Sequence, residues 1–157
     1  MDERKTKLSD RLAQSRQELL ASFGELAADE LAQRPVNDGW SVLDVVAHLA
    51  SAERGHQQVI AGLLDGQDTR RPGFDLDAFN DAEVGARRGL SPDALLSELA
   101  VSRADTIALL DRVEPGDLER TGYHPGGFDT TVEGVFRVIA IHEKRHVKEI
   151  RAALQGS

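Results

Sequence analysis

The sequence predicts an all-α protein, a four-helix bundle with a short extra helix in its middle connection. Apolar residues recur at spacings of three and four along four long stretches, the period of a helix that buries one face. β-branched and aromatic residues do not alternate over a useful length, so no strand is predicted. We find no linker and no internal repeat, and therefore expect one domain spanning residues 1–157.

The first two helices flank a short loop. The first is predicted over residues 7–28 from its apolar stripe, and residues 34–39 form a loop because proline and glycine interrupt the pattern. Ser41 then caps the second helix, with Asp44 completing a weak capping box. Trp40, just before the cap, is placed to pack onto Val45, and the apolar pattern continues to about residue 64.

A long glycine-rich connection follows over residues 65–90, with a short helix or turn predicted at 75–81. Connections of this length are often functional. Ser91 and Pro92 open the third long helix as cap and first helical residue, and the next Pro-Gly pair ends it.

The final helix follows a loop predicted over residues 117–129. Thr130 is predicted to cap it, with Glu133 completing a capping box. Its buried stripe is predicted at positions 132, 135, 139, 142, 146, 150 and 153.

Composition excludes several classes of protein. The 27 acidic against 19 basic residues give a formal charge of −8, which argues against nucleic-acid binding. No apolar run approaches the roughly 18 residues of a membrane helix, and no apolar leader is evident, so we expect a cytoplasmic protein without membrane contact. Because cysteine is absent, any metal ligands must be His, Asp, Glu or water.

The pattern H-E-x-x-H at residues 142–146 is typical of a zinc protease helix. On a helix, His142 and His146 lie one turn apart on the predicted buried stripe, which suits two ligands of one ion. A protease takes its third ligand from downstream, but Glu149 and Ala152 occupy the Gly and His positions of the longer motif. The pattern therefore indicates a metal site and argues against a protease.

The third ligand must come from upstream, and His48 is the first candidate. It lies on the inner face of the second helix, among small residues that leave room for an ion. His56 is the reserve candidate and is otherwise expected at the rim or surface, while His124 lies in a Pro-Gly loop expected at the surface. Three imidazoles leave a coordination position open, as in catalytic sites, and suit Zn²⁺ or Ni²⁺.

Other polar residues have open roles. Glu143 is either a general base or a solvated residue, since it points about 100° away from His142 around the helix. Asn80, Tyr123 and Arg145 are candidates for the pocket. The basic side chains of the last helix form either a solvated face or a positive rim for an anionic small molecule. They are Arg137, Lys144, Arg145, Lys148 and Arg151.

The order of these motifs resembles the DinB/YfiT-like superfamily over nearly the whole chain. The matching segments are GWSVLDVVAHL at 39–49, Phe79-Asn80, DLER at 117–120 with His124-Pro125 and Gly127 after it, and IAIHEKRH at 139–146. No single segment is specific, but their order and spacing together are.

The resemblance implies an up-down-down-up bundle in which His48, His142 and His146 hold a divalent metal ion. Members of the family include thiol-dependent transferases and isomerases that use mycothiol, bacillithiol or glutathione, and some hydrolases; dimers are also plausible for the family. We therefore expect a metal-dependent enzyme, a homodimer, that acts on a small-molecule substrate. It is expected to be either a thiol-dependent transferase, with a low-molecular-weight thiol as a further cofactor, or a hydrolase. The alternative is a non-catalytic, stress-related bundle that binds a metal or ligand.

Overall fold

The computed structural model describes residues 2–156 and confirms the predicted all-α bundle. The helices are α1 (Glu3–Phe23), α2 (Ala28–Gln33), α3 (Val42–Leu64), α4 (Leu76–Ala86), α5 (Pro92–Arg112) and α6 (Val132–Gln155). The strands are β1 (Pro35–Asn37), β2 (Trp40–Ser41), β3 (Thr121–His124) and β4 (Phe128–Thr131), with a 3₁₀ turn at Pro115–Glu119. Within residues 2–156, no helix is both long and apolar enough to cross a membrane.

Contacts between helix ends give the direction of each long helix. Arg4 at the start of α1 pairs with Glu133 at the start of α6, so these two helices are parallel. Lys5 donates to the carbonyl of Val113, just beyond the end of α5, so α1 and α5 are antiparallel. The early residues of α3 and α5 share one apolar cluster and their late residues share another, so α3 and α5 are parallel. The order is up-down-down-up.

Two apolar clusters fill opposite ends of the bundle, and a layer of buried polar side chains separates them. Burying the apolar faces of four helices is the main source of stability in such a domain. The polar layer contributes only if its groups satisfy one another, because an unpaired buried charge is costly. Its members include Ser15, His48, Glu53, Arg103, Thr106, Glu143 and His146.

Several predicted helix limits hold and others move. Ser41 accepts the backbone N–H of Asp44 as predicted, and Ser91 caps α5. The first helix begins at Glu3, earlier than predicted, and also ends earlier, because the chain turns after Phe23 and residues 28–33 form the separate helix α2. The extra helix α4 is longer than the segment predicted at 75–81.

The prediction of no strands is wrong in detail, since both predicted loops contain a short antiparallel hairpin. Each strand has only two to four residues, too few for an alternating pattern to show in the sequence. Gly39 and Gly127 have φ values of +96° and +103° between the paired strands, a conformation that residues with a Cβ rarely adopt.

The cap of α6 is Thr131 and not Thr130. Thr130 pairs with Gly122 inside the second hairpin, so the helix begins one residue later, and Thr131 accepts the N–H of Gly134. Glu133 does not complete a capping box, because its carboxylate pairs with arginines that include Arg4. The hairpin therefore determines where the last helix begins.

Gly122→Ala is expected to destabilise the fold by about 1–3 kcal/mol, because overpacking forces neighbours to move. A Cβ at Gly122 would lie 1.8 Å from Cδ2 of Leu63, a buried side chain of α3. Urea unfolding of the variant measures the loss. The matched control is Gly116→Ala, where a Cβ has nothing within 4 Å. Equal stabilities of the two variants would contradict this packing.

Candidate metal centre

Three histidine side chains from α3 and α6 converge inside the bundle. Nε2 of His142 lies 3.1 Å from Nε2 of His48 and 3.2 Å from Nε2 of His146. One ring nitrogen from each residue lies within 4.8 Å of the other two. The i, i+4 spacing brings two of them from consecutive turns of α6, while α3 supplies the third. The structure thus brings together the three residues predicted as ligands.

The protonation of these rings suits metal binding. Burial lowers the pKa of His48 to about 3 and that of His142 to about 2, and it also lowers the pKa of His146. All three rings are therefore neutral at pH 7, and each has one nitrogen with a free lone pair. With the proton on Nδ1, the three Nε2 lone pairs face one another, an arrangement that a shared cation stabilises.

The spacing of the nitrogens also fits a divalent ion. Metal–nitrogen bonds of about 2.1 Å at a tetrahedral angle place two ligand nitrogens about 3.4 Å apart, close to the 3.1 and 3.2 Å found between these rings. Nδ1 of His146 lies 3.6 Å from a carboxylate oxygen of Glu149, too far for a hydrogen bond. His48, His142 and His146 could therefore hold such an ion.

A cavity of about 730 Å³ opens beside the histidines. Its walls come from α3, α4, α6, the connection before α4 and the loop of the second hairpin. His48 and His142 lie in the wall, so a small molecule in the cavity can reach the space between the rings.

The predicted pocket residues divide in the structure. Asn80 and Arg145 line the cavity, but Tyr123 does not. The backbone N–H and carbonyl of Tyr123 both hydrogen-bond to the hydroxyl of Thr69, which ties the hairpin to the long connection. Arg71, which the sequence analysis did not single out, also lines the cavity. Its guanidinium lies 3.8 Å from the centroid of the Phe74 ring.

Comparison with family models gives one assignment, since a model of the DinB superfamily matches residues 11–150. The chain belongs to the DinB superfamily. The match runs from within α1 to within α6 and includes the three converging histidines. No curated protein matches this DinB superfamily chain.

Solved structures share this DinB fold. YfiT from Bacillus subtilis, a probable metal-dependent hydrolase, is 24% identical with a TM-score of 0.77, covering 99% of this chain and 88% of YfiT. The mycothiol-dependent maleylpyruvate isomerase is 16% identical with a TM-score of 0.76, covering 91% of this chain. This chain spans 60% of the isomerase's length. A four-helix bundle protein is 27% identical with a TM-score of 0.67, covering 98% of this chain and 99% of that one.

Glu143 is neither solvated nor unpaired, contrary to one of its two predicted roles. Its side chain is 1% exposed and accepts hydrogen bonds from Ser15 at 2.7 Å and from Arg103 at 3.2 Å. Arg16 pairs with the same carboxylate, and both arginines also pair with Glu53. The residue that follows His142 is therefore held in a buried ion network formed with three other helices.

Sequence reasoning missed the other members of this network. Glu53 follows Leu49 by four residues and precedes His56 by three, so its place on the buried stripe of α3 was a usable signal. Arg103 has the same signal on α5, since it follows Leu99 by four residues and precedes Thr106 by three, but its partners on α3 and α6 are far away in sequence.

His56 and His124 are also buried, and the prediction that they lie at the surface is wrong. Each is 9% exposed, and Nδ1 of His56 lies 3.1 Å from Nε2 of His124. The second hairpin folds back over α3 and covers both rings, a contact that the Pro-Gly sequence alone does not reveal. His56 is not a member of the converging triad, in which His48 is the residue from α3.

The metal-free protein is expected to lose stability as the pH falls from 6.5 towards 3. Burial lowers the pKa of every histidine; His56, like His48, falls to about 3. The unfolded chain, with pKa values near 6.5, then binds protons that the folded chain excludes. Each histidine that stays neutral in the folded chain lowers the free energy of unfolding by about 1.4 kcal/mol per pH unit below 6.5. A urea midpoint equal at pH 7.5 and pH 5.5 would contradict this.

Proposed function

We propose that this DinB superfamily chain is a metal-dependent enzyme that acts on a small molecule, with His48, His142 and His146 as the ligands of a zinc or nickel ion. The observation that carries the proposal is the convergence of three Nε2 atoms beside an open cavity. Three protein ligands leave a coordination position free, which is the arrangement of catalytic rather than structural sites.

A divalent ion at this site lowers the pKa of a coordinated water or thiol, which makes it a nucleophile at neutral pH. The chain has no cysteine, so a thiol nucleophile must be a separate small molecule. The two similar structures support either choice, since one is a mycothiol-dependent isomerase and the other a probable metal-dependent hydrolase. We propose the thiol-dependent transfer reaction first and hydrolysis second.

The cavity wall carries three arginines and two aspartates, and this excess of positive charge supports an anionic substrate. Arg71 and Arg145 lie in its wall, and neither forms an ion pair within the described part of the chain. Unpaired cations are notable in a protein with a formal charge of −8, because acidic partners are plentiful. Of the five basic residues of the last helix, Arg145 lies in this wall, and we propose that it supplies part of the positive rim for an anionic molecule.

The experiment is a turnover assay on metal-loaded protein with a panel of thiol acceptors and esters. We expect wild type to turn over at least one class and His142→Ala to lose that activity. Arg145→Ala should raise KM for anionic substrates several-fold while leaving metal content unchanged. Full metal occupancy with no turnover on the whole panel would overturn the enzymatic proposal and favour a non-catalytic metal-binding bundle.

A further inference from the structure

His56 and His124 form a pair that lies beside the converging triad but is not part of it. The centroid of the His56 ring is 6.1 Å from that of His142, and both members of the pair line the cavity. The ring of Phe128 stacks on His124 with centroids 4.6 Å apart and planes 9° apart. Both imidazoles are therefore buried and held in place at the edge of the cavity, where they can contact a bound molecule.

The backbone of the hairpin loop determines where the proton of His124 lies. The N–H of Gly126 donates to Nδ1 of His124 at 2.8 Å, so Nδ1 must carry a lone pair. The proton of the neutral ring is therefore on Nε2. A Cβ at residue 126 would lie 2.9 Å from this Nδ1, so only glycine allows the backbone to approach so closely.

The proton of His56 follows from that of His124. Nε2–H of His124 faces Nδ1 of His56 at 3.1 Å, and this contact is a hydrogen bond only if Nδ1 of His56 accepts. The neutral ring of His56 then carries its own proton on Nε2. Among the described residues, the buried nitrogens without a partner are Nδ1 of His48 and of His146. Nε2 of His56 forms no hydrogen bond with another described residue and is not one of them, and because His56 lines the cavity we infer that this nitrogen faces it.

We propose that His56 is a substrate-positioning residue whose Nε2–H donates a hydrogen bond to a carboxylate of the molecule bound beside the metal. His124 and the Gly126 backbone keep that proton in place, and Arg145, which lines the same cavity, favours an anionic group. This inference rests on the proposed function, because it needs a substrate at the metal centre.

A second metal ion bound between His56 and His124 is the competing interpretation of their 3.1 Å contact. It requires a lone pair on Nε2 of His124, but that atom carries the proton, since Nδ1 accepts from Gly126. Within residues 2–156 no backbone N–H donates to a ring nitrogen of the converging triad, so all three Nε2 atoms are free to be ligands. The pair therefore donates hydrogen bonds, and the triad is the part that binds metal.

The tautomers can be measured directly by long-range ¹⁵N–¹H correlation spectra of metal-free protein labelled at histidine. We expect the proton on Nε2 in both His56 and His124. Gly126→Ala should move His124 and mix the two tautomers of both rings. A proton on Nδ1 of His56 in wild type would overturn the proposal.

The ligand contact is tested on Co²⁺-loaded protein by following the visible absorption during titration with mercaptoacetate. The control probe is propanethiol, which has the thiol but lacks the carboxylate. His56→Phe should weaken mercaptoacetate binding by about tenfold or more, the effect of a lost hydrogen bond to a charged group. The same variant should change propanethiol binding by less than about twofold, and His56→Gln, which keeps a donor, should recover most of the loss.

A second variant protects the test against misfolding of His56→Phe. His124→Phe leaves His56 in place but frees its tautomer, so mercaptoacetate binding should fall by a smaller factor. Equal weakening of both probes, or no change in either, would overturn the proposal for His56 while leaving the metal centre intact. If wild type binds no Co²⁺, both the metal-centre proposal and this one fail.

Discussion

His142→Ala is expected to abolish stoichiometric metal binding. His142 is the middle residue of the triad, with its Nε2 3.1 and 3.2 Å from those of the other two histidines. Without it, only His48 and His146 remain. Loss of an outer-shell partner alone costs 10–100-fold in affinity, so loss of a ligand should cost more than about 100-fold. Competitive titration with a chromogenic zinc chelator measures the change.

The matched control for His142→Ala is His124→Ala, which removes a buried imidazole from the same cavity wall without removing a ligand. We expect its zinc affinity to stay within about tenfold of wild type, the lower end of outer-shell effects. A His142→Ala protein that still binds zinc like the control would show that the ligands have been assigned wrongly.

Glu143→Ala is expected to destabilise the protein by about 3–5 kcal/mol, the usual cost of breaking a buried ion pair from one side. Its carboxylate is 1% exposed, and removing it leaves Arg16 and Arg103 with only Glu53 between them. That loss is large beside the 5–15 kcal/mol that stabilises a typical domain. Thermal and urea unfolding of metal-free protein measure it.

Two further variants separate the roles of Glu143. Asp105→Ala breaks the exposed pair with Arg54 and should cost less than about 1 kcal/mol. Glu143→Gln keeps the shape but removes the charge, so it should lower stability while leaving metal stoichiometry unchanged. If Glu143→Ala and Asp105→Ala had equal free energies of unfolding, that would contradict the buried network and favour the interpretation of Glu143 as a general base.

The parts of the site that the sequence predicts are those encoded within one helix. The i, i+4 spacing of His142 and His146 on an apolar stripe indicates two inward ligands, and small residues around His48 leave space for the third. The residues that sequence reasoning misplaced are those whose partners come from elsewhere. Glu143 points away from His142 on its own helix, but arginines from α1 and α5 form hydrogen bonds with its carboxylate.

The same reason explains the errors in the fold. The helices are predicted because their period repeats over many residues, whereas the hairpins have strands of two to four residues and leave no pattern. The second hairpin then alters the expectations that depend on it. It moves the cap of α6 to Thr131 and buries His56 and His124, which the sequence places at the surface.

The most direct test of the metal centre is elemental analysis of wild-type protein purified without a metal-affinity tag. Imidazole ligands select weakly among divalent ions, so which metal is bound depends on which ions are available. The number of ions bound per chain does not depend on their identity. We expect one divalent ion per chain, removed by a chelator and restored by added Zn²⁺ or Ni²⁺. Protein that carries no stoichiometric metal and takes none up would contradict the account, because the three histidines would then be no more than a buried polar cluster.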